Sequence, residues 1–378
     1  MKCDYLIVGC GLYGVTLARL LTNMGYTVYI IDKRDHIGGN IYTERKENVD
    51  IHIYGPHIFH TNNEQVWEFV NKYCTFNNFV LNTLAFDGDK LFHLPFNMNT
   101  FYEMFNVEYP HEAKEIIDSE IKKSGLSNKT PSNLEEQAIK MVGKTIYEKL
   151  IKYYTEKQWN KKCTELSPDI IKRLPLRFNY NNNYFNDKYQ GIPIDGYTKM
   201  IKSMLKGVNN EKEIKYVLNR DFTTNIHYWT SISKKVIYCG EIDKLFNYSL
   251  GELEWRSLKF NHYSSTDKKM SQGTAIKNMT MSKDICQATR YIEHYWFNPI
   301  GEYNTIYLSE EIPQDWNKNL ESYYPINNER NEELYNKYLS LLKTTYPNIY
   351  VGGRLGKYKY FDMDDVILEA MKDIKTLV

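Results

Sequence analysis

Three glycines near the start of the sequence have the spacing of a turn that binds a dinucleotide. The apolar run Tyr5–Val8 leads into Gly9, Gly11 and Gly14, as expected where a strand ends and a helix begins. Gly11 would let the backbone approach a pyrophosphate, and Gly14 would let the helix pack closely on the strand. Asp32, 23 residues after Gly9, could accept hydrogen bonds from ribose hydroxyls. The pattern predicts a dinucleotide site, the alternative being an accidental glycine-rich turn.

A second basic, glycine-rich turn follows this acid and reads KRDHIGGN. Its paired glycines, Gly38 and Gly39, would let a second stretch of backbone close over a pyrophosphate, and Asn40 could donate to it. The arrangement resembles the two-dinucleotide flavoprotein pattern more than that of an NAD dehydrogenase. We therefore expect FAD as the cofactor. An ordinary turn with solvated charges at Lys33 and Arg34 is the alternative.

The elements around these turns predict an α/β fold with a Rossmann-like domain. Strands are expected at Thr27–Ile31, Ile214–Leu218, Val236–Tyr238 and Asn348–Gly353, and helices at Val15–Met24 and from about Asp362 to Thr376. Val49–His60 alternates apolar and polar residues and is expected to be extended near the cofactor. The histidines of its H-x-x-H pair, His57 and His60, have no third ligand at a suitable spacing, so no metal site is expected.

The rest of the chain predicts helices first and then strands. Helices are expected at His111–Gly125, from a capping box at Pro131–Glu135 to about Met141, and at about Thr145–Thr155. Short β-prone runs in 170–194 and 254–312 predict a mainly antiparallel sheet. We expect a FAD-binding domain of residues 1–80, 208–250 and 340–378, a helical domain of residues 100–165, and a sheet domain of residues 81–99, 166–207 and 251–339.

Composition limits the kind of partner and compartment. The chain has 378 residues, a net charge of +1 and six cysteines without a CxxC pair. Near-neutral charge gives no electrostatic case for nucleic acid or an anionic membrane. The mean hydropathy is −0.57, and no apolar stretch approaches the roughly 20 residues of a membrane span. Scattered thiols are typical of a reducing compartment, so we expect the cytoplasm.

Eleven segments, in order along nearly the whole chain, resemble the UDP-galactopyranose mutase family. They are GCGLYG, DKRDHIGGN, YGPHIFHTN, LPFNMNTF, YTEKQW, IIKRLPLRFNYNNNYFNDKYQGIP, GYTKMI, EWRSLKF, TRYIEH, YYPIN and GGRLGKYKYFDM. The resemblance implies a flavoenzyme that interconverts UDP-galactopyranose and UDP-galactofuranose. It also implies a Rossmann-like FAD domain, a helical domain, a six-stranded antiparallel sheet domain and a homodimer.

The resemblance implies a set of substrate-binding residues. Tyr154 would stack on uracil, Trp159 would lie beside the sugar, and Arg173 and Arg290 would clamp the diphosphate. The full set is Tyr154, Thr155, Trp159, Arg173, Tyr184, Phe185, Arg290, Tyr324 and Tyr360. Tyr184, Tyr324 and Tyr360 match phosphate-contacting tyrosines. With 33 tyrosines in the chain, Tyr323 and Tyr358 remain alternatives, as does Arg177 for Arg173.

A second implied set surrounds the flavin. It consists of Gly9, Gly11, Leu12, Gly14, Asp32, Lys33, Arg34, Gly39, Asn40, His57, Ile58, Phe222, Arg354, Asp362 and Met363. His57 would tune the flavin near N5, with His60 close by, and Phe222 would lie near the adenine. The residues expected to act in the reaction are Arg173, Arg290, His57 and Arg354. Pro56 stands where alanine is common in the family, and Glu241 replaces a common proline. Asp32 stands where many members have Glu.

The implied mechanism is covalent catalysis without net redox change. N5 of reduced FAD would attack the anomeric carbon, UDP would depart, and the ring would reclose through another hydroxyl of the N5–sugar adduct. A cellular reductant, NAD(P)H or a reductase, would keep the flavin reduced, and the product would supply galactofuranose for surface glycans. A mobile loop would close over UDP, and residues 179–186 would lie in or beside it. The alternatives are an amine oxidase-like oxidoreductase and a flavoprotein that binds UDP-sugars without turnover.

Overall fold

A computed structural model describes residues 2–172 and 174–378. The chain divides into two compact units. The first consists of Met1–Asn78, Asp187–Arg256 and Trp316–Val378, and the second of Phe79–Asn186 and Ser257–Asp315. The helical segment and most of the strands that we expected in separate domains lie together in the second unit. Residues 187–207, 251–256 and 316–339, which we expected in the sheet domain, lie in the first unit.

The strands and helices of the described residues are numbered along the chain. The strands are β1 Cys3–Val8, β2 Val28–Ile31, β3 Thr43–Lys46, β4 Val49–His52, β5 Phe59–Thr61, β6 Thr83–Phe86, β7 Leu91–Leu94, β8 Tyr189–Gly191, β9 Lys215–Val217, β10 Ser233–Tyr238, β11 Trp255–Ser265, β12 Ile276–Met279, β13 Arg290–Glu293, β14 Ile306–Asp315, β15 Tyr324–Pro325 and β16 Ile349–Val351. The helices are α1 Leu12–Asn23, α2 Glu64–Asn71, α3 Met98–Phe105, α4 Pro110–Lys123, α5 Leu134–Val142, α6 Lys144–Ile146, α7 Lys152–Trp159, α8 Gly196–Lys206, α9 Ile226–Ser231, α10 Ile242–Leu245, α11 Glu329–Thr345, α12 Gly353–Gly356 and α13 Met363–Leu377.

The first unit is built on a five-stranded parallel sheet in the order β16-β10-β1-β2-β9. Its central strand β1 ends in Leu6, Ile7 and Val8, which are buried because both faces of a parallel sheet are covered. The carboxyl ends of β1, β10 and β16 meet at one edge, where ligands bind in open α/β sheets. The expected Rossmann-like architecture is therefore confirmed, with strand positions correct to within a few residues.

Helix α1 begins at Leu12, three residues earlier than expected, and Gly11 is its N-cap. Gly14 therefore lies inside the helix rather than before it. The helix ends at Asn23, and Gly25 adopts a left-handed conformation with φ of +94°, as expected for the residue that stops a helix. The N-terminus of α1 consequently starts directly after the second glycine of the motif.

The second unit combines helices α3–α7 with a sheet in the order β11-β14-β13-β12-β6-β7. The first residues of β11, Trp255 and Arg256, pair with β15 inside the first unit. With β15 the sheet has seven strands, one more than expected, and β6 pairs with β12 in parallel, so the sheet is not wholly antiparallel. A core of apolar side chains, including Phe92, Phe101 and Leu134, is buried within this unit.

Three local predictions differ from the structure. The segment expected to form one helix at Thr145–Thr155 contains three successive elements. They are α6, then a π-helical turn at Tyr147–Ile151, and then α7. The extended run expected at Val49–His60 is broken into β4 and β5 by a turn at Gly55, whose φ is +98°. The described part of 170–188 contains no strand, and β8 pairs with β5 in the first unit.

Candidate functional site

The glycine motif places the N-terminus of α1 at the edge of the parallel sheet. A Cβ on Gly14 would lie 2.1 Å from the carbonyl oxygen of Gly9, so this position cannot carry a side chain without moving the strand or the helix. A Cβ on Gly11 would meet its nearest protein atom, the Cα of Gly39, at 3.8 Å. Protein packing therefore requires glycine at Gly14, whereas the space beside Gly11 suits close approach of a pyrophosphate.

Asp32 connects the two glycine turns. Its carboxylate accepts hydrogen bonds from the backbone N–H groups of Cys10 at 2.6 Å and Arg34 at 2.8 Å. The side chain is almost completely buried. Because each carboxylate oxygen can accept more than one hydrogen bond, Asp32 can hold the turns and still accept from a ribose hydroxyl.

The second turn is organised by Arg34, one of the residues that we expected at the flavin. Its guanidinium donates to Asn40 Oδ1 at 2.9 Å and to the Glu321 carboxylate at 2.7 Å, and lies 4.5 Å from the ring centroid of Tyr54. Burial lowers the pKa of Arg34, but Glu321, Tyr54 and Asp32 together outweigh this effect, so the pKa is raised. Asn40 accepts through its oxygen, so its Nδ2 is oriented as a donor. Lys33 lies 3.8 Å from Glu321 and is more exposed.

His57 is held by the turn that interrupts the expected strand. Its Nδ1 lies 2.8 Å from the carbonyl oxygen of Gly55, and its backbone N–H donates to His52 Nδ1 at 3.1 Å. Since a carbonyl oxygen only accepts, Nδ1 of His57 carries a proton in this contact. Ile58 is buried, and His60 pairs with Asp187 at 3.0 Å.

Arg354 lies just after β16, at the start of the short helix α12. Its guanidinium donates to the backbone carbonyls of Ser322, at 3.1 Å, and of Tyr323. Burial lowers its pKa, and the phenols of Tyr324, Tyr323 and Tyr360 act in the opposite direction. Arg354 therefore fixes the segment that carries Tyr324.

The structure distinguishes the tyrosines that compete for the phosphate role in the first unit. Tyr324 and Tyr360 are partly exposed, with ring centroids 6.0 Å apart. Tyr358 is buried, and its hydroxyl donates to the carbonyls of Glu254 and Ile326. Tyr323 is also buried. These positions favour Tyr324 and Tyr360 as ligand-facing residues and give Tyr358 a structural role.

The remaining positions expected at the flavin lie at the start of helix α13 and at the start of a short 3-10 helix, Phe222–Thr224. Asp362 is the N-cap of α13 and forms a capping box with Asp365, while Met363 is the first helical residue. The hydroxyl of Tyr360 donates to Asp362 Oδ1 at 2.9 Å. Phe222 is fully buried against Tyr238. A contact from Phe222 to the cofactor would consequently involve its backbone rather than its ring.

The second unit brings Tyr154 and Arg290 together. Arg290 Nε donates to the phenolic oxygen of Tyr154 at 3.1 Å, and Nη1 lies 3.4 Å from the carboxylate of Glu311. Glu311 is the residue directly opposite Arg290 in the pairing of β13 with β14. Burial raises the pKa of Tyr154, which therefore stays a neutral phenol. Sequence reasoning missed Glu311, because only the strand register reveals its pairing.

Other predicted substrate residues lie near this pair. Thr155 is buried on α7, and Trp159 at the end of α7 packs against the apolar core. The phenol of Tyr184 is close enough to influence the pKa of Tyr154, and its ring makes an edge contact with Phe185 at 5.1 Å. Arg173 lies outside the described residues.

Arg177, the alternative to Arg173, forms hydrogen bonds with other residues of the protein. Its Nη1 donates to the carbonyls of Asn181 and Asn183, and its Nη2 donates to Asn186 Oδ1. These bonds close the segment of residues 179–186, which we name the asparagine loop. Arg177 therefore has a clear structural role in shaping this loop.

Comparison with known proteins gives a consistent assignment. A family model described as UDP-galactopyranose mutase matches residues 149–360. A Klebsiella pneumoniae protein named probable UDP-galactopyranose mutase is 40% identical over 372 residues, which cover 98% of this chain and 93% of that protein. The chain belongs to the UDP-galactopyranose mutase family. It is accordingly an isomerase and a flavoprotein, as the sequence indicated.

Further matches agree with this family and its fold. An Escherichia coli protein named dTDP-fucopyranose mutase is 38% identical over 374 residues, 97% of this chain and 96% of its own. A crystal structure of reduced UDP-galactopyranose mutase matches with a TM-score of 0.72, at 13% identity, over 100% of this chain and 94% of that one. A model described as NAD(P)-binding Rossmann-like domain matches residues 7–73. None of the helices in 2–172 and 174–378 is long and apolar enough to span a membrane.

Proposed function

We propose that this chain interconverts UDP-galactopyranose and UDP-galactofuranose with reduced FAD and no net redox change. The family match to residues 149–360 carries the proposal, because every residue assigned to the substrate lies within that range. The Mycoplasma genitalium relative named UDP-galactopyranose mutase and the Klebsiella pneumoniae relative named probable UDP-galactopyranose mutase support the choice of sugar.

The first unit fits FAD in three respects. Gly11 leaves space for a pyrophosphate, Asp32 retains acceptor capacity for a ribose, and Asn40 is oriented as a donor. Reduced FAD, when bound, supplies a nucleophilic nitrogen, N5, for covalent catalysis of the ring contraction at the anomeric carbon. The protein residues bind and orient the cofactor, and His57 would lie beside the flavin.

Arg290 is the residue best suited to hold the leaving diphosphate. Its guanidinium keeps part of its surface exposed, with a relative side-chain accessibility of 28%, while Tyr154 and Glu311 fix its orientation. A guanidinium of fixed orientation stabilises negative charge that develops on a leaving phosphate. Tyr154 offers a flat face for uracil, and Arg173 would add a second positive charge.

A second candidate substrate is a dTDP-fucose. The Escherichia coli relative named dTDP-fucopyranose mutase covers this chain almost as fully as the mutases named for UDP-galactopyranose. Thymine differs from uracil by a methyl group, and stacking on an aromatic ring tolerates either base. The same assay with both sugar nucleotides therefore decides between them.

The remaining biological assignments belong to this proposal. We infer a homodimer in the cytoplasm, a cellular reductant that is NAD(P)H or a flavin reductase, and a product that supplies galactofuranose for surface glycans. These follow from the family resemblance and the scattered thiols of the sequence.

The decisive experiment is chromatography of UDP-galactofuranose after anaerobic incubation with the purified holoprotein, with and without dithionite. Parallel samples contain dTDP-fucofuranose. We expect conversion to UDP-galactopyranose only with reduced flavin. Exclusive conversion of the dTDP sugar would support the second candidate. No conversion of either by protein with bound and reduced flavin would contradict the proposed function.

A further inference from the structure

Lys157 is a buried charge on the face of α7 that carries Tyr154. The two residues are three positions apart, so they lie on the same side of the helix. Only 5% of Lys157 is exposed. Its Nζ donates to the backbone carbonyls of Met279 at 2.8 Å, Cys286 at 3.1 Å and Ala288 at 2.7 Å.

These three acceptors belong to the connection between β12 and β13. Met279 is the last residue of β12, and Ala288 precedes Arg290, the first residue of β13, by two positions. Across the two strands, Asn278 pairs with Arg290. The ammonium of Lys157 therefore binds both ends of the turn from which Arg290 emerges.

An ammonium group is suited to this position because it has three donors and three carbonyls surround it. An apolar residue here would leave those carbonyls unpaired in a buried place, which is costly. Burial lowers the pKa of Lys157 to about 8, so the group remains mainly charged near neutral pH.

Two sets of contacts thus join the same face of α7 to the same strand. Lys157 binds the backbone that leads into β13, and Tyr154 accepts a hydrogen bond from the Arg290 side chain. We propose that Lys157 is a positioning residue, which holds α7 against the β12–β13 turn so that Tyr154 and Arg290 keep their mutual geometry for the nucleotide. The inference rests on the proposed function, in which these two residues bind UDP.

The test is a double-mutant cycle on the affinity of the holoprotein for UDP, measured by calorimetry. The variants are Lys157→Met, Tyr154→Phe and the double substitution, with the exposed Lys161→Met as the matched control. We expect Lys157→Met to weaken UDP binding about tenfold, since one buried ammonium with three hydrogen bonds is lost. In the Tyr154→Phe background, the same substitution should weaken binding less than threefold, because the geometry it protects is already broken. Lys161→Met should leave affinity unchanged.

A second variant distinguishes a positioning effect on UDP affinity from a general folding defect. Lys157→Arg keeps a cation with several donors, so the variant should fold and retain flavin absorbance. Because the arginine side chain is longer, the variant should still bind UDP severalfold more weakly. Additive effects of Lys157→Met and Tyr154→Phe, or wild-type affinity in a folded Lys157 variant, would overturn the positioning role. Wild-type protein that binds no UDP would overturn the proposed function and this inference together. UDP binding without conversion of the sugar would overturn the function alone.

Discussion

Arg290 and Tyr154 are joined by a hydrogen bond of 3.1 Å from Nε to the phenolic oxygen, and the same guanidinium is paired with Glu311. Glu311 has a relative accessibility of 1% and also accepts from the Thr289 hydroxyl at 3.0 Å. The arginine is therefore held from two sides by protein groups. This fixed orientation distinguishes Arg290 from an ordinary surface arginine.

Replacing Arg290 with alanine should separate substrate binding from flavin binding. We expect UDP affinity and turnover to fall roughly 10- to 100-fold, because a charge-assisted contact to the diphosphate is lost. The residues proposed to bind FAD lie in the first unit and Arg290 in the second, so flavin absorbance per protein should stay at the wild-type level. Loss of flavin together with activity would contradict this role.

The same substitution should also lower stability, for a separate reason. Without Arg290, the buried Glu311 loses its cation, and a buried unpaired charge costs several kcal/mol. The double variant Arg290→Ala, Glu311→Gln should recover much of the thermal midpoint without recovering UDP affinity. Equal midpoints for the single and double variants would show that the ion pair does not determine the stability loss.

Two glycines of the first turn should respond differently to alanine. Gly14→Ala should destabilise the fold, because its Cβ would lie 2.1 Å from the Gly9 carbonyl oxygen. Gly11→Ala should give a folded protein with a near wild-type thermal midpoint in the absence of cofactor, since its Cβ has 3.8 Å of clearance. Its flavin content should nevertheless fall sharply, because the methyl group occupies space needed by the pyrophosphate. Normal flavin content in Gly11→Ala would place the pyrophosphate elsewhere.

These glycines belong to the part of the site that could be predicted from the sequence. The Gly9–Gly14 motif depends on local spacing, so strand, turn and helix could be predicted together, although Gly14 proved to lie within α1. Arg290 and Glu311 are 21 residues apart, and their contact exists only in the register of β13 with β14. No local pattern specifies such a pairing.

The absence of strands from the described part of 170–188 has a physical cause in its asparagines. Asn179 Oδ1 accepts from the N–H of Asn181, and Asn181 Oδ1 accepts from the N–H of Asn183. Side chains thereby take backbone donors that a sheet would use. Composition alone suggested β-prone runs, but these local hydrogen bonds compete successfully with strand pairing.

Stability of the protein should fall on mild acidification because of His294. The ring is buried beside Ser309, and burial together with the nearby His262 lowers its pKa to about 3. In the unfolded chain a histidine has a pKa of about 6.5. The unfolded state therefore gains protons between these values while the folded state does not, so stability is full above pH 6.5 and declines as the pH falls towards 3.

Urea unfolding at pH 7 and 5.5 measures this effect. His294 should contribute a loss of about 1 kcal/mol between these two pH values. His294→Gln should remove that part of the pH dependence, whereas the exposed control His227→Gln should retain it. An unchanged pH dependence in His294→Gln would assign the acid sensitivity to other groups.

The asparagine loop should depend on Arg177 for its conformation. Three hydrogen bonds from the guanidinium reach Asn181, Asn183 and Asn186. The buried Asn97 adds bonds from its side-chain amide to the carbonyl of Asn181 and to Asn182 Oδ1. These hydrogen bonds link the asparagine loop to Arg177 and Asn97 of the second unit.

Arg177→Lys keeps the positive charge but cannot reach all three acceptors, because a lysine lacks the planar fork of arginine. We expect hydrogen exchange in residues 179–186 to accelerate roughly tenfold, as a net contribution of about 1.4 kcal/mol is lost. Since Tyr184 and Phe185 lie in this loop, the KM for the sugar nucleotide should rise while bound flavin is unchanged. The exposed Arg220→Lys serves as the control. Unaltered exchange would mean that the loop keeps its conformation without Arg177, and a lower flavin content would place its effect outside the loop.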